Sequence, residues 1–169
     1  MSIIKVGLCG HGYWGQNLLR TFSGDPKFEV VAVSDIRESA RDRVRRTNTA
    51  IRLYGDGTEV IDDPEVEAVA IATPAATHFS LARRALVRDK HVLVEKPMCA
   101  SVAEAKELVA LAEVKDVTLM VATTPIFFTA RSASCANCIR TARSARFPIM
   151  IPSGSISASS SRTSTCCGI

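Results

Sequence analysis

Apolar positions along the chain come in two rhythms. Residues 3–9 (I-I-K-V-G-L-C) and Phe28–Ser34 (F-E-V-V-A-V-S) are apolar at nearly every position, the pattern of parallel strands covered on both faces. Shorter runs of the same kind lie at 66–72, 91–94 and 117–122, with a brief one at 51–54. Between them the spacing changes to three and four. Leu18, Leu19 and Phe22 form one stripe in a helix predicted over 13–22, closed by Ser23-Gly24-Asp25-Pro26. Leu81, Ala85 and Leu86 form another in a helix over 77–88, which turns Arg83, Arg84 and Arg88 to a solvated face. Residues 38–46 are densely charged and read as a surface helix. Thr58 is the candidate cap of a brief helix ending at Ile61, and Ser101-x-x-Glu104 is a capping box opening a helix to about Val114. Strands alternating with helices of these lengths predict an α/β fold: a doubly wound parallel sheet with ligand sites at the carboxyl ends of its strands.

Four pieces of sequence fall at those ends. Gly10-His11-Gly12-Tyr13-Trp14-Gly15 follows the first strand and opens the first helix. Gly10 permits the turn, Gly12 lets the backbone approach a pyrophosphate, and Gly15 lets helix and strand pack closely. The free N–H groups of the first helical turn, around Tyr13 and Trp14, then hold the phosphates, with His11 expected exposed beside them. Asp35 follows Gly15 by 20 residues at the tip of the second strand, where a carboxylate accepts both hydroxyls of an adenosine ribose. That acid favours NAD, since it repels the 2′-phosphate of NADP; Arg37 tempers the preference, because a guanidinium accepts such a phosphate. Thr73-Pro74 closes the fourth strand, Pro74 biasing Thr73 toward an extended backbone, and Glu95-Lys96-Pro97 closes the fifth. Three glycines in a loop mean little alone; the flanking strand, helix and spaced acid make the dinucleotide reading specific.

Composition splits the chain in two. Residues 1–122 carry sixteen Lys/Arg and all seventeen acids, whereas 123–169 carry five Arg and no acid. The net charge of +4 therefore describes the last 47 residues, and no aromatic-interleaved patch organises those arginines for nucleic acid. No apolar run approaches the ~20 residues of a membrane span, and the N-terminus lacks the shape of a signal peptide. A cytoplasmic location is expected. A dinucleotide fold also belongs to a reducing compartment, so the six cysteines are not read as disulfides, and Cys9 falls where a buried strand residue would.

With these pieces placed, residues 3–122 resemble the N-terminal domain of the Gfo/Idh/MocA family of NAD(P)-dependent oxidoreductases. Beyond the glycine loop, the resemblance includes Ala72-Thr73-Pro74 followed by Thr77-His78. It continues through Glu95-Lys96-Pro97, a capped helix and an L-x-V strand. It implies a Rossmann fold and hydride transfer between NAD(P) and the hydroxyl of a sugar, nucleotide sugar or cyclitol. The wording from Gly12 to Arg20 looks most like members acting on nucleotide-linked amino sugars or other sugars. The resemblance implies that Lys96 lies beside the nicotinamide and the substrate hydroxyl, where an ammonium stabilises a developing alkoxide and relays its proton. The plain alternative is an exposed strand-end lysine. Glu95 is implied near the nicotinamide ribose, and Lys96-Pro97 is a candidate cis bond. His78 is a candidate cofactor contact, with packing or capping an equal alternative. Full-length relatives assemble as homo-oligomers through the sheet of a second, α+β domain.

The resemblance stops at about Ala122. Residues 123–169 include ten serines, are too few for the second domain, and have a composition odd for a packed one. They are expected to be an aberrant tail on a dinucleotide-binding domain of residues 1–122. Back-translating Ala142–Phe147 with one allowed codon choice and reading the neighbouring frame yields G-E-I-G-E-I, as a family member carries there. A frame change near residues 122–124 is therefore expected. Cys135-x-x-Cys138 and Cys166-Cys167 have the thiolates for a zinc site but no accompanying histidine or turn chemistry, so no metal is expected. Two readings of function follow: an oxidoreductase using Lys96, or a dinucleotide-binding fragment without turnover.

Overall fold

A computed structural model describes residues 3–122. Residues 123–169, with Cys135, Cys138, Cys166, Cys167 and the expected tail, lie outside the described residues. In chain order the elements are β1 (Ile4–Cys9), α1 (Tyr13–Gly24), β2 (Phe28–Ser34), α2 (Glu38–Thr47), β3 (Arg52–Tyr54) and α3 (Gly57–Asp62). There follow β4 (Ala68–Ile71), a 3-10 turn (Ala75–Thr77), α4 (His78–Val87), β5 (His91–Glu95), α5 (Val102–Lys115) and β6 (Leu119–Ala122). The strands form one sheet in the order β3-β2-β1-β4-β5-β6, every neighbouring pair parallel. This is the doubly wound order, with the switch point between β1 and β4.

Strand alternation sorts the core into two layers. On one face Leu18, Leu19 and Phe22 of α1 and Val44 of α2 pack with Val6, Leu8, Val33 and Ala70. On the other, Val60, Ile61, Leu81, Leu86 and Leu108 of α3, α4 and α5 pack with Cys9, Val69, Ile71, Val92 and Val94. α3 approaches β1 so closely that a Cβ on Gly7 would lie 2.4 Å from Val60 Cγ1. Beyond α1 the first face has no helix over β4 to β6 among the described residues. Ile4, Ala68, Leu93 and the exposed Met120 line an apolar groove there of about 330 Å³.

Local chemistry moved some boundaries. The cap of α3 is Asp56, not Thr58: the Thr58 backbone N–H is itself a donor in need of an acceptor, and the Asp56 carboxylate takes it at 2.6 Å while Glu59 caps the Asp56 N–H. Val66 and Val117 stay outside their strands because their N–H groups close turns onto Asp63 and Ala112. The Ser101–Glu104 box and the outward Arg83, Arg84 and Arg88 are as predicted, the arginines pairing with Glu107 and Asp62. No helix among the described residues is long and apolar enough to cross a membrane.

Candidate dinucleotide site

The glycine loop is built by close approach. Gly10 has φ 91°, a left-handed value that disfavours any side chain, and a Cβ there would also lie 2.7 Å from the Ala72 carbonyl oxygen. Gly15 sits in the first turn of α1, where a Cβ would come within 2.0 Å of the Gly10 carbonyl oxygen. Gly12 is different. Its Cβ would meet only Arg37 Nη2, at 3.8 Å, so its lack of a side chain leaves an open approach above the turn. Gly12 is the N-cap of α1 and supplies no side-chain acceptor, so the first-turn N–H groups face outward with the positive end of the helix dipole. Tyr13 and Trp14 stand exposed at the rim, their rings edge to face at 5.4 Å.

Three strand ends are bonded side by side. The Gly10 N–H donates to the Ser34 carbonyl at 2.8 Å, and the Ala72 N–H donates to the Cys9 carbonyl at 2.8 Å. Asp35, 7% exposed, follows β2. Its Oδ2 accepts the His11 backbone N–H at 2.9 Å and Arg37 Nη2 at 3.0 Å. Its Oδ1 accepts Arg37 N–H at 2.9 Å and Arg37 Nε at 3.0 Å. Burial pushes the Asp35 pKa up, but the donors of Arg37 and His11 outweigh it and hold the carboxyl at about 2. Arg41, which the sequence reading passed over, donates from Nη1 to the Asp35 carbonyl at 2.6 Å and pins the β2–α2 turn. Its signal was available in the spacing, because Arg41 lies one helical turn after the Arg37 N-cap of α2, from where a long side chain reaches back to the turn.

Of the two histidines, His11 differs from expectation and His78 takes the packing alternative. His11 is 4% exposed rather than open to phosphates: its ring turns under the loop, with Nδ1 3.2 Å from the Ala40 carbonyl. A carbonyl only accepts, so Nδ1 carries the proton. Burial pushes the His11 pKa below its ordinary value, Arg43 and Arg37 adding to the shift and the Ala40 carbonyl opposing it. His78 is 1% exposed, with Nδ1 2.7 Å from the Pro97 carbonyl and Nε2 2.8 Å from the Thr73 carbonyl. Both nitrogens are committed to backbone, so His78 braces the site from beneath and is not presented to a cofactor. Cys9, buried under the same edge, has a thiol that burial pushes up to about 12 and that stays protonated.

At the end of β5, Glu95 is buried and Lys96 exposed. The Lys96 N–H donates to Glu95 Oε2 at 3.3 Å, the Lys96-Pro97 bond is cis, and Lys96 Nζ has no acceptor among the described residues. Thr73 and Pro74 lie between the two halves of the edge, the Thr77 hydroxyl donating to the Pro74 carbonyl and sharing a hydrogen bond with the Thr73 hydroxyl, each at 2.8 Å. Gly10–Gly15, Asp35, Thr73-Pro74 and Glu95-Lys96-Pro97 thus share one sheet edge. Among the described residues no three His, Cys, Asp or Glu converge as metal ligands.

The family model of the oxidoreductase family with an NAD-binding Rossmann fold matches residues 4–123. The chain belongs to the Gfo/Idh/MocA oxidoreductase family. Among its Gfo/Idh/MocA relatives is the inositol 2-dehydrogenase/D-chiro-inositol 3-dehydrogenase of Lacticaseibacillus casei, 33% identical over 112 residues, which are 63% of this chain and 32% of that protein. Two solved structures show the fold with nucleotides bound. GenD2 from gentamicin A biosynthesis, in complex with NAD, superposes with a TM-score of 0.67 at 29% identity over 72% of this chain and 34% of its own. Biliverdin reductase from Synechocystis, with biliverdin and NADP+, gives 0.67 at 32% identity over 70% and 37%. The chain spans about a third of the length of the curated relatives it matches. The family is NAD(P)-dependent, and both cofactors occur on this fold.

Proposed function

We propose that this chain holds NAD or NADP across β2, β1, β4 and β5 for hydride exchange with a sugar or cyclitol hydroxyl. One observation carries the reading. Across the sheet the order Asp35, glycine loop, then Thr73-Pro74 and Glu95-Lys96 follows the order of parts in a dinucleotide: adenosine ribose, diphosphate, then nicotinamide ribose with its nicotinamide. β5 lies two inter-strand spacings, about 10 Å, from β1, within reach of a nucleotide whose diphosphate rests on the Gly12 turn.

When bound, the nicotinamide supplies the hydride acceptor or donor. The chain's residues do the rest. Asp35 receives ribose hydroxyls, the first-turn N–H groups of α1 hold the diphosphate, and buried Glu95 takes the second ribose. Exposed Lys96 stabilises the alkoxide that forms as hydride leaves carbon and relays the hydroxyl proton. The dinucleotide-binding unit spans residues 1–122, with 123–169 outside it, in a reducing cytoplasm suited to the free thiols of Cys9 and Cys99.

A second reading is nucleotide binding without turnover, since every residue placed at the strand ends above other than Lys96 is read as holding the nucleotide. Holding a substrate in register contributes about 7–11 kcal/mol of barrier lowering, and none of the residues read above is assigned to it. Cofactor binding measured beside NADH production with inositols and hexoses decides between them. Turnover lost in Lys96→Met with binding kept supports the first reading, binding alone supports the second, and absence of binding defeats both.

A further inference from the structure

Lys96 is placed by its backbone, since its Nζ has no acceptor among the described residues. The segment that carries it, from Lys96 to Cys99, is lightly tied. Two of its hydrogen bonds are local: the Lys96 N–H donates to Glu95 Oε2 and the Cys99 thiol to the Ser101 carbonyl, each at 3.3 Å. Among the described residues one contact of hydrogen-bond length crosses to another element, the 2.7 Å approach of His78 Nδ1 to the Pro97 carbonyl. The same ring puts Nε2 2.8 Å from the Thr73 carbonyl, at the start of the turn that the Thr77 hydroxyl closes onto Pro74. His78 opens α4 and is 1% exposed, so packing fixes a flat, rigid ring between the two segments.

We propose that His78 is the positioning residue of the nicotinamide half of the site: it sets the place of Lys96 relative to Thr73-Pro74 and takes no part in holding the adenosine half. The inference rests on the dinucleotide reading above. The adenosine half has ties of its own. The Gly10 N–H donates to the Ser34 carbonyl at 2.8 Å, the His11 N–H to Asp35 Oδ2 at 2.9 Å and Arg41 Nη1 to the Asp35 carbonyl at 2.6 Å. No hydrogen bond among the described residues joins that set to residues 73–78 or 95–98. The two halves are therefore braced separately. Without the ring, the Pro97 carbonyl turns to another donor, and the lysine one residue before it moves with the backbone. A displacement of about 1 Å is enough to weaken a group's action on a bound ligand, so His78 acts on the nicotinamide half without touching the nucleotide.

The test is calorimetric titration of the whole chain, wild type and variants, with two nucleotides. NADH fills both halves of the site; ADP fills only the adenosine and diphosphate positions. Titrations are run at a temperature where circular dichroism shows each protein folded. His78→Phe is expected to bind NADH about five- to tenfold more weakly and ADP within about twofold of wild type. His78→Gln, whose amide restores a donor, is expected to fall between the two proteins, and it carries the comparison if His78→Phe does not fold. General damage to the fold weakens both nucleotides together, so the ratio of the two affinities separates positioning from stability. If that ratio stays within about twofold of wild type, or moves in favour of NADH, His78 is a brace of the fold alone and the inference falls by itself. If wild type does not bind NADH, the dinucleotide reading falls and takes the inference with it.

Discussion

The buried ring of His78, at the first turn of α4, meets the carbonyl oxygen of Pro97 at 2.7 Å across nineteen residues of chain. Its other nitrogen meets the Thr73 carbonyl at 2.8 Å. One side chain thereby joins the loops that leave β4 and β5, and Lys96 is the residue next to one of the two anchors. His78→Phe preserves the volume and removes the ring N–H, leaving a buried carbonyl to find another partner. A loss of about 1–3 kcal/mol by urea unfolding is expected, with His78→Gln, whose amide restores a donor, losing about half as much. Equal stability of all three proteins by the same titration contradicts the brace.

Gly12 and Gly15 are expected to separate fold from ligand. An added Cβ at Gly15 would sit 2.0 Å from a backbone oxygen, so Gly15→Ala must push α1 off β1, at a cost of about 1–3 kcal/mol. At Gly12 the same methyl meets only a guanidinium tip at 3.8 Å. Gly12→Ala should melt within about 0.5 kcal/mol of wild type yet lose nucleotide affinity, because the methyl occupies the approach to the first turn. Thermal denaturation beside NAD titration reads both; a Gly12→Ala protein that binds normally removes Gly12 from the phosphate path.

Acid should unfold the chain partly through Asp35. Its carboxyl lies near 3.8 ordinarily and about 2 in the fold, so the folded state binds its proton more weakly. The stability it contributes is present above about pH 4 and is lost as pH falls toward 2, about 1–2 kcal/mol after discounting for the solvent around Arg37. Asp35→Asn should remove that part of the pH dependence between 4 and 2. Identical acid titration curves for the two proteins, followed by circular dichroism, contradict the assignment.

Asp63 anchors the opposite end of the sheet. It accepts Arg52 Nε at 2.8 Å, the Tyr54 hydroxyl at 3.0 Å and the Glu65 N–H at 3.0 Å, tying β3 to the turn before β4. Burial raises its pKa, but these donors together hold it below the usual carboxylate value. Asp63→Ala removes the acceptor of Arg52 Nε and of the Tyr54 hydroxyl, Arg52 keeping Glu65 through Nη1, and should cost about 2–3 kcal/mol, while nucleotide affinity, being decided at the other strand ends, should change less than twofold. A larger drop in affinity than in stability indicates coupling across the sheet.

Much of this was legible in the residues alone. Strands buried on both faces leave unbroken apolar runs, so β1, β2, β4, β5 and β6 were readable, and Leu18, Leu19 and Phe22 marked the face of α1 that packs. Gly10, Gly12 and Gly15 were readable because their spacing reports a turn geometry, and the Ser101–Glu104 box because both halves of a local bond lie three residues apart. The same local logic placed the α3 cap wrongly at Thr58, since Asp56 two residues earlier is the better acceptor for the Thr58 N–H.

Sequence by itself determined the alternation of strand and helix, the glycine turn, the acid that follows β2 and the lysine that follows β5, because each depends on neighbours in the chain. Tertiary structure decided which way side chains face once strand ends from distant segments meet. It turned His11 inward to Ala40, set His78 between Thr73 and Pro97, and closed the fork of Arg37 over Asp35. Those outcomes rest on satisfying buried donors and acceptors contributed by separate elements, a condition that exists only after the sheet has brought them together.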